Sequence, residues 1–347
     1  MKVVQKCPFL LGSILIVLIQ IIAGCSAFNS FQREGELTLE PLEEQVTVLR
    51  DEKGMPYIYA QNIDDLMFAQ GFVTAQDRLF LMELTRLFAE GRISELAGEK
   101  ARKLDTRMRT IGFLRNAKKH AKILSSEDKR FFQQYVKGVN TFIKTRKEAY
   151  PLEFKLAGIE PGLWTIEDSL AILYFMGWNS AANLKSEVVT QMLVEKLGTE
   201  KAEEIFPLNI NPDDPDDIGP DDIKGGGLSS LQQPFNLNLI SDKFIASFFE
   251  DRQLEIGSNN WAVAPDFSPN GKPVVANDPH LKSSILPGPW YPCGLITPDL
   301  RAVGVIIPGL PGMIIGRTDH FAIGATNAYG DAQDLYVETI DPANPDH

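Results

Sequence analysis

An acidic, proline-broken stretch divides this chain and limits every fold it can adopt. Asn211-Pro212-Asp213-Asp214-Pro215-Asp216-Asp217-Ile218-Gly219-Pro220-Asp221-Asp222 is followed closely by Gly225-Gly226-Gly227. Such a run holds too little apolar surface to offset the entropy of ordering it as core. The core must therefore come from what lies before and after. The Asp-Asp pairs suggest calcium at first sight, but they lack the ligand and glycine positions of an EF-hand loop. Residues 211–257 read as a spacer.

Before the spacer, residues 45–210 carry helical periodicity. Val46–Arg50 and Pro56–Ala60 are β-branched and aromatic on both sides of Asp51-Glu52-Lys53-Gly54, which predicts a hairpin. Asn62 then caps a helix whose apolar stripe includes Leu66, Ala69, Phe72, Val73, Leu79 and Phe80. Asp77 and Arg78, beside that stripe, read as a structural ion pair rather than catalytic groups. A second helix follows Ser125 and Ser126, with Phe131, Tyr135, Val139 and Phe142 along one side. A third begins at Thr165, whose hydroxyl caps it while Asp168 completes a capping-box-like pair, and is expected to run on through Asn183 to Leu197.

After the spacer the period changes to short alternating strands. Asn260–Ala264 and Pro273–Asn277 flank the hairpin signal Asn270-Gly271, and Arg301–Ile307 and Phe321–Thr326 continue the meander. At the head of this segment stands Gly257-Ser258. If that bond is cut, Ser258 gains a free α-amino group beside its own hydroxyl. The amine's reference pKa of about 7.7–8.0 leaves much of it unprotonated near neutral pH, so one residue can supply both nucleophile and base. Gly257 has no Cβ and tolerates the backbone distortion that attack on its carbonyl requires. A Gly-Ser pair alone is also an ordinary turn.

The continuation is more specific. Gly257-Ser258-Asn259-Asn260-Trp261-Ala262-Val263, Asn277-Asp278-Pro279-His280, Pro308-Gly309-Leu310-Pro311-Gly312 and Gly324-Ala325-Thr326-Asn327-Ala328-Tyr329-Gly330-Asp331 occur in this order. Together they resemble the start of the catalytic β subunit of the penicillin acylase family. The run Asp64–Leu84, with Gly91-Arg92-Ile93-Ser94-Glu95-Leu96, resembles that family's α subunit. The resemblance implies an α+β fold, a partial αββα sandwich of the N-terminal nucleophile hydrolases, with a mainly helical α-subunit region. It implies self-cleavage at Gly257–Ser258, followed by hydrolysis of N-acyl amides such as penicillins or acyl-homoserine lactones through a Ser258 acyl-enzyme. It also makes the Asn327 backbone N–H an oxyanion donor.

The same resemblance sets His280 beside the nucleophile, although a histidine after Asp-Pro could equally be a turn residue. It assigns one structural calcium ion to Glu187, Asp331, Asp334 and the Gln333 carbonyl, an oxygen set that suits a hard cation. Glu187 could as well lie on a solvated helix face. Met176 and Trp178 fall where the family lines its acyl pocket, and also where an apolar helix face would form core. No organic cofactor is implied. Family β subunits run beyond the 90 residues of 258–347, so the segment reads as truncated, with a second, side-chain oxyanion donor expected from the later part.

At the other end, Lys2 and Lys6 precede an apolar run from Pro8 to Ile22, the layout of an export signal, and Ile22-Ala23-Gly24-Cys25 resembles a bacterial lipobox. The expectation is a signal peptide over 1–24, lipid on Cys25, a tether over 25–44 and a place on the periplasmic side of a bacterial membrane. An uncleaved membrane anchor is the rival. Leaving out Lys2 and Lys6 moves the formal charge from −12 to −14, a balance that argues against a nucleic-acid partner. The expected partners are a small N-acyl substrate, the α and β fragments of one precursor, and the membrane through the lipid.

Two other classes compete with the self-processing acylase: an inactive lipoprotein module, and a serine hydrolase pairing Ser258 with His280, which lacks a Gly-x-Ser-x-Gly elbow. For export, Cys25→Ser is expected to move the protein from the membrane fraction to the soluble fraction on cell fractionation. Unchanged membrane retention would favour the uncleaved anchor.

Overall fold

The structure, a computed structural model, describes residues 34–180, 183–205, 257–280 and 289–326. Two compact units divide the chain. The larger takes in the described residues up to Met176, Asn260–Asp278 and those described up to Ala325. The chain is α+β.

The expected hairpin forms from β1 (Thr47–Arg50) and β2 (Pro56–Tyr59), antiparallel, with Val48 opposite Ile58. Its turn closes because the Asp51 carboxylate accepts the N–H groups of Lys53 and Met55, each at 2.9 Å, while Gly54 adopts φ +81°. The hairpin is one edge of a larger sheet. After β3 (Gly257–Val263) and β4 (Val274–His280), the chain supplies β5 (Tyr291–Ile296), β6 (Arg301–Ile306), β7 (Ile315–Arg317) and β8 (Ala322–Ile323). The six strands run in the order β1-β2-β5-β6-β7-β8, and β2 pairs with β5 in parallel, Ile58 opposite Leu295. Segments from both sides of the spacer thus share one sheet. Strand β5 escapes a sequence reading because Pro292, Cys293 and Gly294 interrupt its alternation. The strand expected over 321–326 shrinks to Ala322–Ile323, with Gly324 following at once.

Helix α1 (Ile63–Glu90) lies across this sheet. The Asn62 side chain caps it, accepting from the Asp65 N–H at 2.8 Å, and Gly91 closes it at φ +66°. One face packs Leu66, Met67, Ala69 and Val73 against Ile58, Tyr291, Cys293, Leu295 and Ile306. The other packs Phe72, Ala75, Leu79 and Met82 against Tyr135, Val139, Phe142 and Ile143. A helix buried on two faces needs apolar residues around most of its circumference, and α1 has them.

The helix that receives the second face is preceded by three that the sequence reading missed: α2 (Ser94–Ala97), α3 (Arg102–Ile111) and α4 (Phe113–Ile123). Their buried apolar positions, Met108, Phe113, Ala117 and Ala121, are few and lie among cations. The receiving helix is α5 (Ser126–Thr145), which begins where the sequence placed it and is capped by Ser125. It is followed by the short α6 (Leu152–Ala157) and by α7 (Ile166–Ser180). At the start of α7 the Asp168 N–H donates to Thr165 Oγ1 at 3.2 Å and the Thr165 N–H to Asp168 Oδ2 at 2.8 Å, so the capping pair is present. Helix is described up to Ser180 and again over α8 (Asn183–Leu197), the reach expected from the sequence, with residues 181–182 between them outside the described residues; α9 (Thr199–Ile205) follows.

Helices α1 and α5 touch backbone to backbone. A Cβ on Gly71 would lie 2.1 Å from the Tyr135 carbonyl oxygen, and one on Gly138 would lie 1.9 Å from that of Phe68. Both contacts are with main chain, so relief requires the helices to separate. Gly138→Ala and Gly71→Ala are each expected to lower stability by about 1–3 kcal/mol or more, read as a lower urea midpoint. Gly177→Ala, whose Cβ would meet nothing within 4 Å, is expected to be neutral or slightly stabilising.

Candidate active site

Strand β3 opens with Gly257 and Ser258, so the serine leads a strand as expected; its side chain is half-buried. Its neighbour β4 ends on His280, which is exposed. Only residues 264–273 connect the two strands, too short a link for a parallel crossover. The start of β3 therefore runs alongside the end of β4, the two ends that carry Ser258 and His280. The Asn270-Gly271 turn predicted from the sequence lies in this connection, Gly271 at φ +64°.

The segment after β8 is tied to β4 by one side chain. The Asn277 amide donates from Nδ2 to the Ala325 carbonyl at 2.9 Å and accepts from the Ala325 N–H at 3.0 Å. Beside it, the hydrogen on Gly324 that a Cβ would replace points at β3 and β4. That Cβ would come within 3.3 Å of Asn260 Cβ and 3.4 Å of Asn277 Cβ.

Asp77 does not pair with the Arg78 side chain, contrary to the sequence reading. The Arg50 guanidinium grips its carboxylate as a fork, Nη1 at 2.7 Å and Nη2 at 3.0 Å, and the Tyr291 hydroxyl donates to the same carboxylate. Arg78 turns away because its backbone leaves helical geometry (φ −139°, ψ 16°), and its guanidinium lies 4.9 Å from the centre of the Tyr291 ring. Burial opposes the Arg50 charge, but the Asp77 bond and charge outweigh it and raise the Arg50 pKa. Burial, then the Asp77 charge, hold the Tyr291 hydroxyl well above its ordinary range, so it stays a donor. Burial likewise pushes the free Cys293 thiol up to about 12, which leaves it inert.

Two further links join the same parts of the chain. The Gln70 amide donates to the Gly312 carbonyl at 2.7 Å and accepts from its N–H at 3.0 Å, and the Gly309 N–H donates to the Tyr135 hydroxyl at 3.0 Å. Pro308–Gly312, one of the runs that carry the family resemblance, is thus anchored on α1 and α5. No local signal marked Tyr291, whose partner Asp77 lies 214 positions away.

Of the other predicted site residues, Glu187 stands on α8. Cys25, Asn327, Asp331, Gln333 and Asp334 lie outside the described residues, as do the spacer from 211 to 256 and the segment before residue 34. Among the described residues, no three His, Cys, Asp or Glu side chains gather in a way that could hold a metal, and no helix is long and apolar enough to cross a membrane. Met176 packs against the core cluster around α1 and α5. A 530 Å³ cavity between the 34–48 arm and α1, and one of 290 Å³ beside Arg86 and Asp168, are not lined by Ser258 or His280.

The family model described as penicillin amidase matches residues 45–347. An acyl-homoserine lactone acylase, QuiP, of Pseudomonas aeruginosa is 32% identical over 317 residues, covering 88% of this chain and 36% of the relative. The penicillin acylase 2 proenzyme of a Pseudomonas species is 31% identical over 312 residues, covering 88% of this chain and 39% of the relative. The chain therefore spans well under half the length of these relatives. A solved thermostable penicillin G acylase from Alcaligenes faecalis is 23% identical with a TM-score of 0.40, over 48% of this chain and 92% of that one.

The Tyr291–Asp77 bond crosses from one side of the spacer to the other, so its loss should weaken the joint between them. Tyr291→Phe removes the hydroxyl donor from a buried carboxylate, which is expected to cost about 1.5–3 kcal/mol. The loss should appear as a lower denaturation midpoint. Arg50→Met, which leaves the carboxylate without its cation, is expected to cost more.

Proposed function

Because the chain belongs to the penicillin amidase family, we propose that it forms the nucleophile-bearing part of an acylase that cuts itself before Ser258. The observation that carries this reading is the placement of Ser258 at the head of β3, behind Gly257, inside the stretch matched by the family. In the first step the Ser258 hydroxyl oxygen attacks the Gly257 carbonyl carbon. The C–N bond breaks, an ester forms in its place, and the freed Ser258 amine takes up the hydroxyl proton. Water then hydrolyses the ester, leaving a carboxylate on Gly257 and a free hydroxyl beside a free amine.

The mature site repeats this chemistry on a substrate. The α-amine takes the hydroxyl proton as the oxygen attacks the acyl carbonyl of an N-acyl compound, and returns it to the departing amine. Water releases the acid from the acyl-enzyme. Charge that builds on the carbonyl oxygen needs donors already in place, and the Asn327 N–H is the donor proposed within this chain. The relatives named acyl-homoserine lactone acylase and penicillin acylase support an N-acyl amide as the substrate class. Glu187, Asp331, Gln333 and Asp334 offer the hard oxygen ligands proposed for one structural calcium ion.

The test is the fate of the precursor. The wild-type chain is expected to resolve into two fragments on intact-mass analysis, the second beginning at Ser258 by N-terminal sequencing. Ser258→Ala is expected to stay whole, since the step needs the hydroxyl. A folded wild-type chain in which Ser258 remains internal would overturn the mechanism and favour a non-catalytic module.

A further inference from the structure

The chain is acidic, with a formal charge of −12, yet its segment 100–123 holds nine lysines and arginines and one acid. That acid, Asp105, is buried and turned inward, where it accepts the Ile93 N–H at 2.8 Å and the Ser94 N–H at 2.7 Å. On α4 the cations gather on one side. Arg115, Lys118, Lys119 and Lys122 are exposed and spaced three and four apart, so they form a single stripe away from the buried Phe113, Ala117 and Ala121. We propose that this stripe is a docking surface for a membrane rich in anionic lipid headgroups. The proposal does not rest on cleavage before Ser258.

Four like charges over two turns of helix repel one another, because residues three and four apart are neighbours. Nearby surface cations avoid this by pairing: Arg92 meets Glu95 at 2.7 Å and Arg102 meets Glu99 at 3.0 Å. Among the described residues no ion pair takes up Lys118, Lys119 or Lys122. The helix dipole favours a cation in the last turn, which accounts for Lys122 but not for Arg115 or Lys118. Apolar and aromatic groups flank the stripe. Ile123, one turn on from Lys119, is 80% exposed, and the Tyr174 hydroxyl of α7 lies 3.2 Å from His120 Nδ1. Lysines beside an exposed aliphatic residue and a tyrosine suit the headgroup layer of a bilayer, where stems lie along the apolar boundary and ammonium groups meet phosphates.

A membrane fits the stripe better than a soluble polyanion does. The export-signal layout of Lys2, Lys6 and the apolar run to Ile22 points to a chain that meets lipid headgroups. An extended polyanion would also run past α4 onto the rest of the chain, which is acidic and would repel it, whereas a flat surface touches the stripe alone. Each cation close to an anionic bilayer strengthens binding by about fivefold. The attraction falls off within a Debye length, about 10 Å at 0.1 M salt.

The experiment measures how the full chain partitions onto pure phosphatidylglycerol vesicles and onto pure phosphatidylcholine vesicles, and reads the ratio of the two. An apolar or lipid anchor at the N-terminus adds to both, so the ratio isolates the response to headgroup charge. Wild type is expected to favour phosphatidylglycerol by about a hundredfold at low salt, and to lose the preference near 1 M salt, where screening leaves a reach of about 3 Å. The triple variant Lys118→Gln, Lys119→Gln, Lys122→Gln is expected to bring the ratio to within about fivefold of one. Arginine at the same three positions keeps the charge and is expected to keep the ratio, which separates charge from any effect on the fold. The control Lys137→Gln, Lys144→Gln, Lys147→Gln removes equal charge from exposed positions on α5 and just beyond it, and is expected to change the ratio by less than about threefold. Equal losses in the two glutamine triples would overturn the stripe as the site. A wild-type chain with no preference for phosphatidylglycerol would overturn membrane docking, and retention on polyglutamate beads without that preference would overturn it in favour of a soluble acidic partner.

Discussion

A charge taken out of water must meet its opposite, and the Asp77 carboxylate is where this protein faces that requirement. It is met from two directions in sequence: Arg50 at the end of β1 supplies the fork, and Tyr291 at the start of β5 supplies a hydroxyl. A buried pair of this kind adds little stability over a well-packed apolar substitute, yet removing one member is costly. Its effect is therefore on specificity. The carboxylate is satisfied only when β5 lies beside β2, so the parallel pairing of Ile58 with Leu295 and the polar contact select the same register. This matters in a chain whose spacer cannot itself dictate how its two sides meet. On the proposed reading it also explains how cleavage before Ser258 can leave one folded body: β2 and β5, Tyr135 and Gly309, and Gln70 and Gly312 stay paired whether or not the bond is intact.

Side-chain amides recur in this structure where a strand partner is missing. Gln70 pairs with Gly312, Asn140 with Trp164 and Asn277 with Ala325, each giving and taking one hydrogen bond with a single main-chain residue. Loops that run close to a core carry main-chain groups that cannot be left unpaired. An amide side chain answers both needs at once, since it presents a donor and an acceptor at the spacing of a peptide. Asn140 and Gln70 do this from helices, so α5 and α1 can seat loops without a local strand. Glycines make the complementary contribution, leaving room for a close approach, to main chain at Gly71 and Gly138 between helices and to the Asn260 and Asn277 side chains at Gly324.

Features coded by neighbours in sequence were legible, and features coded by distant partners were not. Asn62 and the Thr165–Asp168 pair announced two helix starts because capping is complete within four residues, and the serines at 125 and 126 marked a third. Gly54 and Gly271 announced two turns for the same reason. The meeting of Asp77 with Arg50 was hidden, since Arg78 is adjacent in sequence and only the break in helical geometry at that residue turns it away. Strand β5 was hidden by Pro292 and Gly294, which suit it only because its neighbours are already in place. At the site, the serine's position at the start of a strand could be read from Gly257-Ser258 and the residues up to Val263. The hold of Asn277 on Ala325 could not, because it spans 48 positions and looks like any asparagine beside an Asp-Pro.

Strands β3 and β4, which carry Ser258 and His280, pair with each other in a sheet distinct from the six-stranded one. The two strands carry Trp261, Val263, Val274 and Val275 among their side chains. A rigid central strand would resist the change that the proposed first step demands, in which the Gly257 carbonyl must turn to meet a hydroxyl one residue away. The mature reaction has the opposite requirement, for an oxyanion donor misplaced by an ångström loses much of its effect. The proposed first step turns on the backbone of Gly257 at the head of β3, whereas Asn277 on β4 holds the main chain of Ala325, 48 positions further along the chain.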